Sequence, residues 1–349
     1  MLGLALLAGL GALALLLRLP GRVAALAALL LWAGILLLHG LAPNSPAARA
    51  LGGDLRIWLV AGGAALLVLA YRAGLRRLRA GAIPVPGPEP AAQDGMSDAE
   101  LDRYARHLVL REIGGPGQMR LRGANVLVVG AGGLGAPVCL YLAAAGVGRI
   151  TLADDDTVGL SNLQRQVIFR ADQRGQMKSR AAAANMGALN PHVAVTALER
   201  RITEADTALV AAHDLVLDGT DSFASREVVN RLCVRAGVPL IAGAIAQWEG
   251  QVTLYDPARG GPCMACLFPQ APAPGLAPPC AEAGVIGPLP GVVGSLMALE
   301  AIKHLAEAGQ GLRGRMLIFD GLYGESRMIG TNARPDCPVC GGGHFVTGT

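Results

Sequence analysis

Apolar and polar positions divide the chain near residue 80. Ahead of that point lie three apolar runs, Leu2–Leu17, Val23–Leu38 and Ile57–Tyr71. Arg18 and Arg22 separate the first pair, and a polar loop from His39 to Arg56 precedes the third. The first two runs stand near the lower length limit for crossing a hydrocarbon core of about 30 Å, and the third falls short of it. Trp58 and Tyr71 bracket the third run with Arg56 and Arg72 outside them, which suits interfacial anchoring and snorkelling. Small residues such as Ala5 and Gly9 allow helices to approach closely. Residues 1–79 therefore read as a membrane anchor with two or three transmembrane helices in contact with lipid. One alternative is a cleaved signal peptide over Met1–Leu17, but that stretch has no basic leader and its removal leaves the later runs unexplained. Another is a helical hairpin lying in the membrane without crossing it. Arg72, Arg76, Arg77 and Arg79 come after the last run, so the positive-inside bias places the rest of the chain on the cytoplasmic face of the inner (cytoplasmic) membrane.

Residues 80–96 are rich in Pro and Ala and read as a linker. A folded domain is expected over 97–345, opening on the capping-box pattern Ser97-Asp-Ala-Glu100 and a helix that carries Leu101, Tyr104 and Leu108. Asn125–Val129 is a β-branched run that predicts a buried strand, and Gly130-Ala-Gly-Gly-Leu-Gly135 comes directly after it. Ala136–Ala145 predicts a helix and Arg149–Ala153 a second strand, ending at Asp154. Strand, glycine turn, helix, strand and acid in that order form the context of a dinucleotide-binding fingerprint. Gly130, Gly132, Gly133 and Gly135 would let backbone amides reach phosphates, and Asp154 would accept hydrogen bonds from ribose hydroxyls. The bland alternative is a tight turn without a ligand. The expected fold is α/β, a Rossmann-like doubly wound, mostly parallel sheet.

Arg165 and Lys178 lie within reach of the crevice at the switch point of such a sheet, isolated among neutral neighbours. Asp214–Asp218 predicts another buried strand, with Asp221 just past its carboxyl end and so facing the same crevice. Two cations and a lone carboxylate suit a triphosphate with Mg²⁺, whereas hydride transfer would not use them. The competing reading makes the cations a solvated charged face.

The net charge of +4 is too small to argue for nucleic-acid binding, and part of the excess flanks the apolar runs. Of seven cysteines, Cys263-Met-Ala-Cys266 and Cys337-Pro-Val-Cys340 form two Cys-x-x-Cys pairs. Such a set predicts a closed tetrahedral Zn²⁺ site that staples the C-terminal part to the domain. Paired disulfides are the alternative, disfavoured in a cytoplasmic setting. His344 is a possible substitute ligand, less suited than the four thiols. Cys139 and Cys233 fall in apolar helical patterns and are expected in the core. Cys280 stands apart, after the Pro/Ala-rich stretch Gln270–Pro279, which predicts a mobile loop.

From about Ser97 to Cys340 the chain resembles the MoeB/ThiF (HesA) family, relatives of the ubiquitin-activating enzymes. The matching segments are Arg103–Arg106, Gly130–Gly135, Thr157–Gln166, Gly175–Lys178, Thr220-Asp221 with Arg226 and Asn230, Cys280–Val285 and the late helix Gly294–Lys303. The resemblance implies an ATP site of Gly132, Gly135, Asp154, Asn162, Arg165, Lys178 and Asp221. It also implies a homodimer in which Arg106 reaches the partner's triphosphate. Asp155 and Ser222 depart from it, standing where the family often has an aromatic and an asparagine. No rhodanese-like domain is expected, since the chain ends soon after Cys340. In some members the equivalent of Cys280 bonds covalently to a carrier and in others it is dispensable. An unreactive loop thiol is the alternative, since reactivity depends on the thiolate.

The activity implied is that of a transferase, a nucleotidyltransferase that adenylates the C-terminal glycine of a ubiquitin-like sulfur-carrier protein, to which a persulfide-carrying protein then gives sulfur. The carrier's carboxylate would attack the α-phosphorus without a general base, being ionised at neutral pH. The run Cys280–Val285 favours the carrier of molybdenum cofactor biosynthesis, the small-subunit type of molybdopterin synthase, over the thiamine-pathway carrier. A family branch acting on a modified tRNA adenosine draws no support from the charge balance. An NAD-dependent oxidoreductase and an inactive membrane scaffold are more distant alternatives.

Overall fold

β-Branched and leucine-rich pentads build the centre of the molecule. The computed structural model describes residue 3 and residues 21–81, 95–271 and 284–341. Its contacts divide the chain into two units, Met1–Asp94 and Gly95–Thr349.

In the second unit, strands β1 (Asn125–Val129), β2 (Arg149–Ala153), β3 (Ala194–Leu198), β4 (Leu215–Asp218), β5 (Leu240–Ala246), β6 (Glu249–Tyr255), β7 (Arg315–Asp320) and β8 (Glu325–Gly330) form one sheet of order 3-2-1-4-5-6-7-8. Pairing from β3 through β5 is parallel, and from β5 through β8 antiparallel. The order in which strands are added reverses between β1 and β4, which pair in parallel with Val126 opposite Leu215 and Val129 opposite Asp218. That reversal opens a crevice at the strands' carboxyl ends. Val126, Leu127, Leu215, Val216 and Leu217 are fully buried, so β1 and β4 are covered on both faces, as parallel strands require. The late helix extends over Pro288–Ala306 and packs on β5 and on the helix Gly135–Ala145.

The loop between β1 and the helix Gly135–Ala145 is held by backbone contact. Gly130 has φ +91°, a left-handed conformation that costs glycine little. A Cβ on Gly135 would lie 1.9 Å from the Gly130 carbonyl oxygen, and one on Gly219 would lie 3.1 Å from the Gly135 nitrogen. The first separation admits hydrogen only, and the second is tighter than an ordinary van der Waals contact. Gly135 was expected against the nucleotide; the structure instead puts it beneath the loop, off the crevice wall, where it allows the helix to dock under β1.

The capping box forms as expected, with Ser97 accepting from the Glu100 amide and Glu100 accepting from the Ser97 amide. The helix it opens does not run through Leu108, because Tyr104 breaks it into Asp98–Arg103 and Ala105–Leu108. Tyr104 turns inward to accept a hydrogen bond from Asn190 at 2.8 Å, and burying that ring sets the bend. Cys139 and Cys233 are core residues, and burial pushes the Cys139 thiol up to about 12.

In the first unit, helices span Gly21–Leu41 and Pro46–Leu51, and the third apolar run lies inside a helix of 27 residues, Leu55–Gly81. At 1.5 Å per residue that helix is about 40 Å long, so the short run does not limit its reach. Polar residues beyond Tyr71 prolong it, because Arg and Leu favour helix as strongly as the apolar core does. The helix also takes in the first residues of the expected linker, 80 and 81; residues 82–94 of it lie outside the described residues. Trp32 packs on Gly62, where a Cβ would lie 1.8 Å from the indole, and its Nε1 donates to the Trp58 carbonyl at 3.2 Å. Leu26, Leu30, Leu37, Leu59, Val60 and Leu67 all face outward.

Gly135→Ala is expected to destabilise the second unit by roughly 3 kcal/mol, at the severe end of overpacking because backbone must move; urea unfolding measures it, and an unchanged midpoint would contradict the packing. The Arg200 guanidinium beside Asp206 holds its carboxyl down to about 2. Since the unfolded value is about 3.9, this pair contributes stability above about pH 4 that is lost as pH falls towards 2. Acid titration of unfolding should therefore lose part of that acid-side slope in Asp206→Asn.

Candidate active site

The crevice at the β1/β4 reversal has a volume of roughly 1060 Å³ and is lined by Gly130, Gly132, Gly133, Asp154, Asn162, Arg165, Lys178 and Asp221, among others. The residues singled out from the sequence thus converge, Gly135 and Arg106 excepted. Arg106 is exposed on the short helix Ala105–Leu108 and makes no hydrogen bond or ion pair among the described residues. Cys280 and His344 lie outside the described residues.

Asp154 ends β2, where one carboxylate oxygen accepts from the Ala131 amide at 2.7 Å and the other from the Asp156 amide at 2.9 Å. It thereby ties the glycine loop to β2. Burial raises its carboxyl, and the same two amides pull it back. Asn162 accepts from the Gly159 amide through Oδ1 and caps a short 3₁₀ turn. Arg165, one turn on, donates to the Ser161 carbonyl at 3.1 Å and packs beside Gly133.

Lys178 begins the helix Lys178–Leu189 and is buried, unlike a solvated surface cation. Nor is it isolated, as the sequence suggested: its Nζ donates to Asp156 Oδ2 at 2.9 Å. Asp156 keeps most of its carboxylate in solvent, so the pair sits half in and half out of the wall. Asp221 is exposed at the mouth, with no hydrogen bond among the described residues. Behind it the Arg226 guanidinium donates to the Thr220 carbonyl, and the buried Asp218 carboxylate accepts from the Thr220 amide at 2.8 Å. Burial pushes the Asp218 carboxyl up. Gln166 Oε1 is buried in this wall with no hydrogen-bond partner among the described residues. Buried polar atoms left open cost about 1–3 kcal/mol each, a cost that a polar ligand entering the crevice would remove.

Asp156, Arg226 and Arg201 belong to this site and are not picked out by the sequence pattern as crevice residues. The only signal for the first is a third acid in Asp154-Asp-Asp156. Arg201 reaches the wall from a segment 46 positions beyond Asp155, with which it pairs at 2.7 Å.

A second cluster lies apart from the crevice. The sulfurs of Cys263, Cys266, Cys337 and Cys340 are all buried and within 4.8 Å of one another. Cys263–Cys266, Cys263–Cys337 and Cys266–Cys340 stand 3.8, 3.6 and 3.5 Å apart. Disulfide sulfurs are bonded at about 2.05 Å, so these four are not joined as the paired bridges weighed as an alternative. Four sulfurs at 2.3 Å from a common centre would lie about 3.8 Å apart, which these spacings approach.

Comparison with known proteins accords with this geometry. Residues 104–339 match the ThiF family. The chain is 47% identical over 245 residues to the SAMP-activating enzyme E1 of Haloferax volcanii, covering 70% of this chain and 90% of that one. It is 47% identical over 247 residues to the sulfur carrier protein adenylyltransferase of Thermus thermophilus, covering 69% and 91%. Against the molybdopterin-synthase adenylyltransferase of Escherichia coli it is 44% identical over 247 residues, covering 70% and 98%. Among solved structures, Escherichia coli MccB with AMPCPP and MccA superposes with a TM-score of 0.62 at 25% identity, covering 71% of this chain and 75% of that one. A doubly wound sheet with a glycine loop and a cation-lined switch point, matched over most of the second unit, makes this chain a member of the ThiF family.

Proposed function

We propose that the chain uses ATP to adenylate the C-terminal glycine of a ubiquitin-like sulfur-carrier protein, giving an acyl adenylate and pyrophosphate. The observation that carries this is the convergence of the glycine loop, Arg165, Lys178 and Asp221 on one crevice. Family membership and relatives named as adenylyltransferases of sulfur carriers support the reaction class. The volume is also suggestive: about 300–1,000 Å³ holds a small ligand, so this crevice has room for a nucleotide and the end of a peptide.

In this reading the phosphates meet the loop amides and the N-terminus of the helix Gly135–Ala145. Asp154 and Asn162 orient the ribose. Lys178, already directed into the wall by Asp156, and Arg165 take up charge as pyrophosphate leaves. Arg106 faces solvent in one chain and reaches the triphosphate of a second copy, making the working unit a homodimer. The carrier's carboxylate is ionised at neutral pH, so the work is positioning and electrostatics. Mg²⁺ on Asp221 would neutralise phosphate charge. Cys280 is the candidate for a covalent link to the carrier, and a persulfide-carrying protein is the proposed sulfur donor. The molybdopterin-synthase type of carrier is favoured over the thiamine type, consistent with the relative from Escherichia coli. A hydride-transferring oxidoreductase gives no use to the buried Lys178.

The four buried thiols are proposed to hold Zn²⁺, a structural metal that would fasten the 337–340 turn to the 263–266 turn. The outward leucines of the first unit and the 18-residue apolar stretch Leu55–Arg72 support a membrane anchor. By the arginines after it, the adenylating unit would lie on the cytoplasmic side.

Exchange of labelled pyrophosphate into ATP should appear with a molybdopterin-type carrier, and exchange with neither carrier type would overturn the proposal. Asp221→Ala should lower that exchange about a hundredfold or more while leaving unfolding unchanged. Metal analysis of the purified chain should find zinc, lost in Cys337→Ser together with thermal stability; a stable, zinc-free chain would contradict the staple.

A further inference from the structure

In a doubly wound fold the phosphates occupy the loop after β1 and the ribose occupies the acid at the end of β2. Phosphate and base leave the ribose from opposite sides. The base must therefore extend away from the switch point, over the carboxyl ends of β2 and β3. Resting on the nucleotide reading of the crevice, this fixes which residues face the base.

The wall there is made by Asp155, next after Asp154, and by Arg201 and Ile202, just past β3. Aromatic side chains that line the crevice among the described residues, Phe223, Tyr255 and Phe268, come after β4 or belong to β6 and the segment after it. None comes from β2 or β3. Asp155 itself stands where an aromatic was expected from the resemblance. What it does instead is visible: its Oδ2 accepts from Arg201 Nε at 2.7 Å. Asp155 is the only hydrogen-bond partner of the Arg201 side chain among the described residues, and that side chain is 71% exposed at the crevice wall. One edge of the guanidinium is thus fixed while most of the side chain stays accessible.

We propose that Arg201, oriented by Asp155, forms the adenine-facing wall of the site, with its guanidinium plane stacked on the purine. A guanidinium is planar, weakly hydrated and stacks on aromatic rings, which an ammonium does not do. Its place just past β3, beyond Asp154, sets it at the base end of the crevice and not at the phosphate end. Asp155 neutralises it, and Asp156 and Asp221 add further negative charge nearby. Arg165 and Lys178 serve the phosphate end from different segments. Arg201 is therefore a specificity-determining residue, and Asp155 positions it.

The test is equilibrium binding of ATP and of inorganic tripolyphosphate to the full chain and to its variants. Arg201→Ala should weaken ATP about fivefold, the worth of an exposed cation–π contact, and leave tripolyphosphate unchanged. Arg201→Lys should weaken ATP nearly as much, because charge without a plane does not replace the stack. Asp155→Asn should have a smaller effect in the same direction. Equal losses for ATP and tripolyphosphate would make Arg201 a phosphate ligand and overturn the inference, as would undiminished ATP binding by Arg201→Ala. If the unaltered chain binds tripolyphosphate but not ATP, or neither, the nucleotide reading itself falls. Thermal unfolding of each variant separates these results from loss of fold.

Discussion

Backbone meets backbone where the sheet reverses, and the site depends on that contact. Gly130, Gly135 and Gly219 approach so closely that a methyl group on Gly135 would overlap the Gly130 carbonyl. The contact brings the N-terminus of the helix Gly135–Ala145 directly against the carboxyl ends of β1 and β4. It leaves loop amides, with no side chains between, to face the crevice. The positive helix end and the Gly132 and Gly133 amides, which have no partner among the described residues, can thus face one anion together. The same geometry explains why Gly135 supports the site from below, although the sequence pattern groups it with the residues in contact.

Charge is distributed around that floor in a way that keeps the empty crevice stable. Lys178 is buried but neutralised by Asp156, which itself reaches solvent. A phosphate can compete for the lysine because the half-exposed carboxylate gives it up at small cost, water replacing the lost partner. Arg201 is neutralised in the same manner by Asp155. Each cation is thus presented on its own acid. The two acids are neighbours in sequence but direct cations from two different segments, so adjacent positions of a single turn set two parts of the crevice wall.

Much of this was legible in the sequence, for physical reasons that differ from residue to residue. The glycine loop and Asp154 could be read because φ above zero, close approach and a hydrogen-bonding acid demand particular residue types at fixed spacing. The cysteine pairs could be read because thiols this regularly spaced have few other uses. Asp156 and Arg201 were hidden because their roles come from partners 22 and 46 positions away. The break at Tyr104 was hidden because local periodicity continues through it, and only burial against Asn190 decides the turn. The length of the helix Leu55–Gly81 was hidden because an apolar run marks where lipid or core is met, while helix propensity persists through the arginines beyond it. The antiparallel strands β6 to β8 carried no signal that set their order, since it depends on a return through the helix Pro288–Ala306.

A structure of the full chain with ATP and Mg²⁺ tests the central claim most directly. The account predicts the triphosphate on the Gly132 and Gly133 amides, the ribose on Asp154, and Arg165, Lys178 and Asp221 turned towards the phosphates. Nucleotide bound elsewhere, or bound in the crevice with those three side chains facing away, would contradict it.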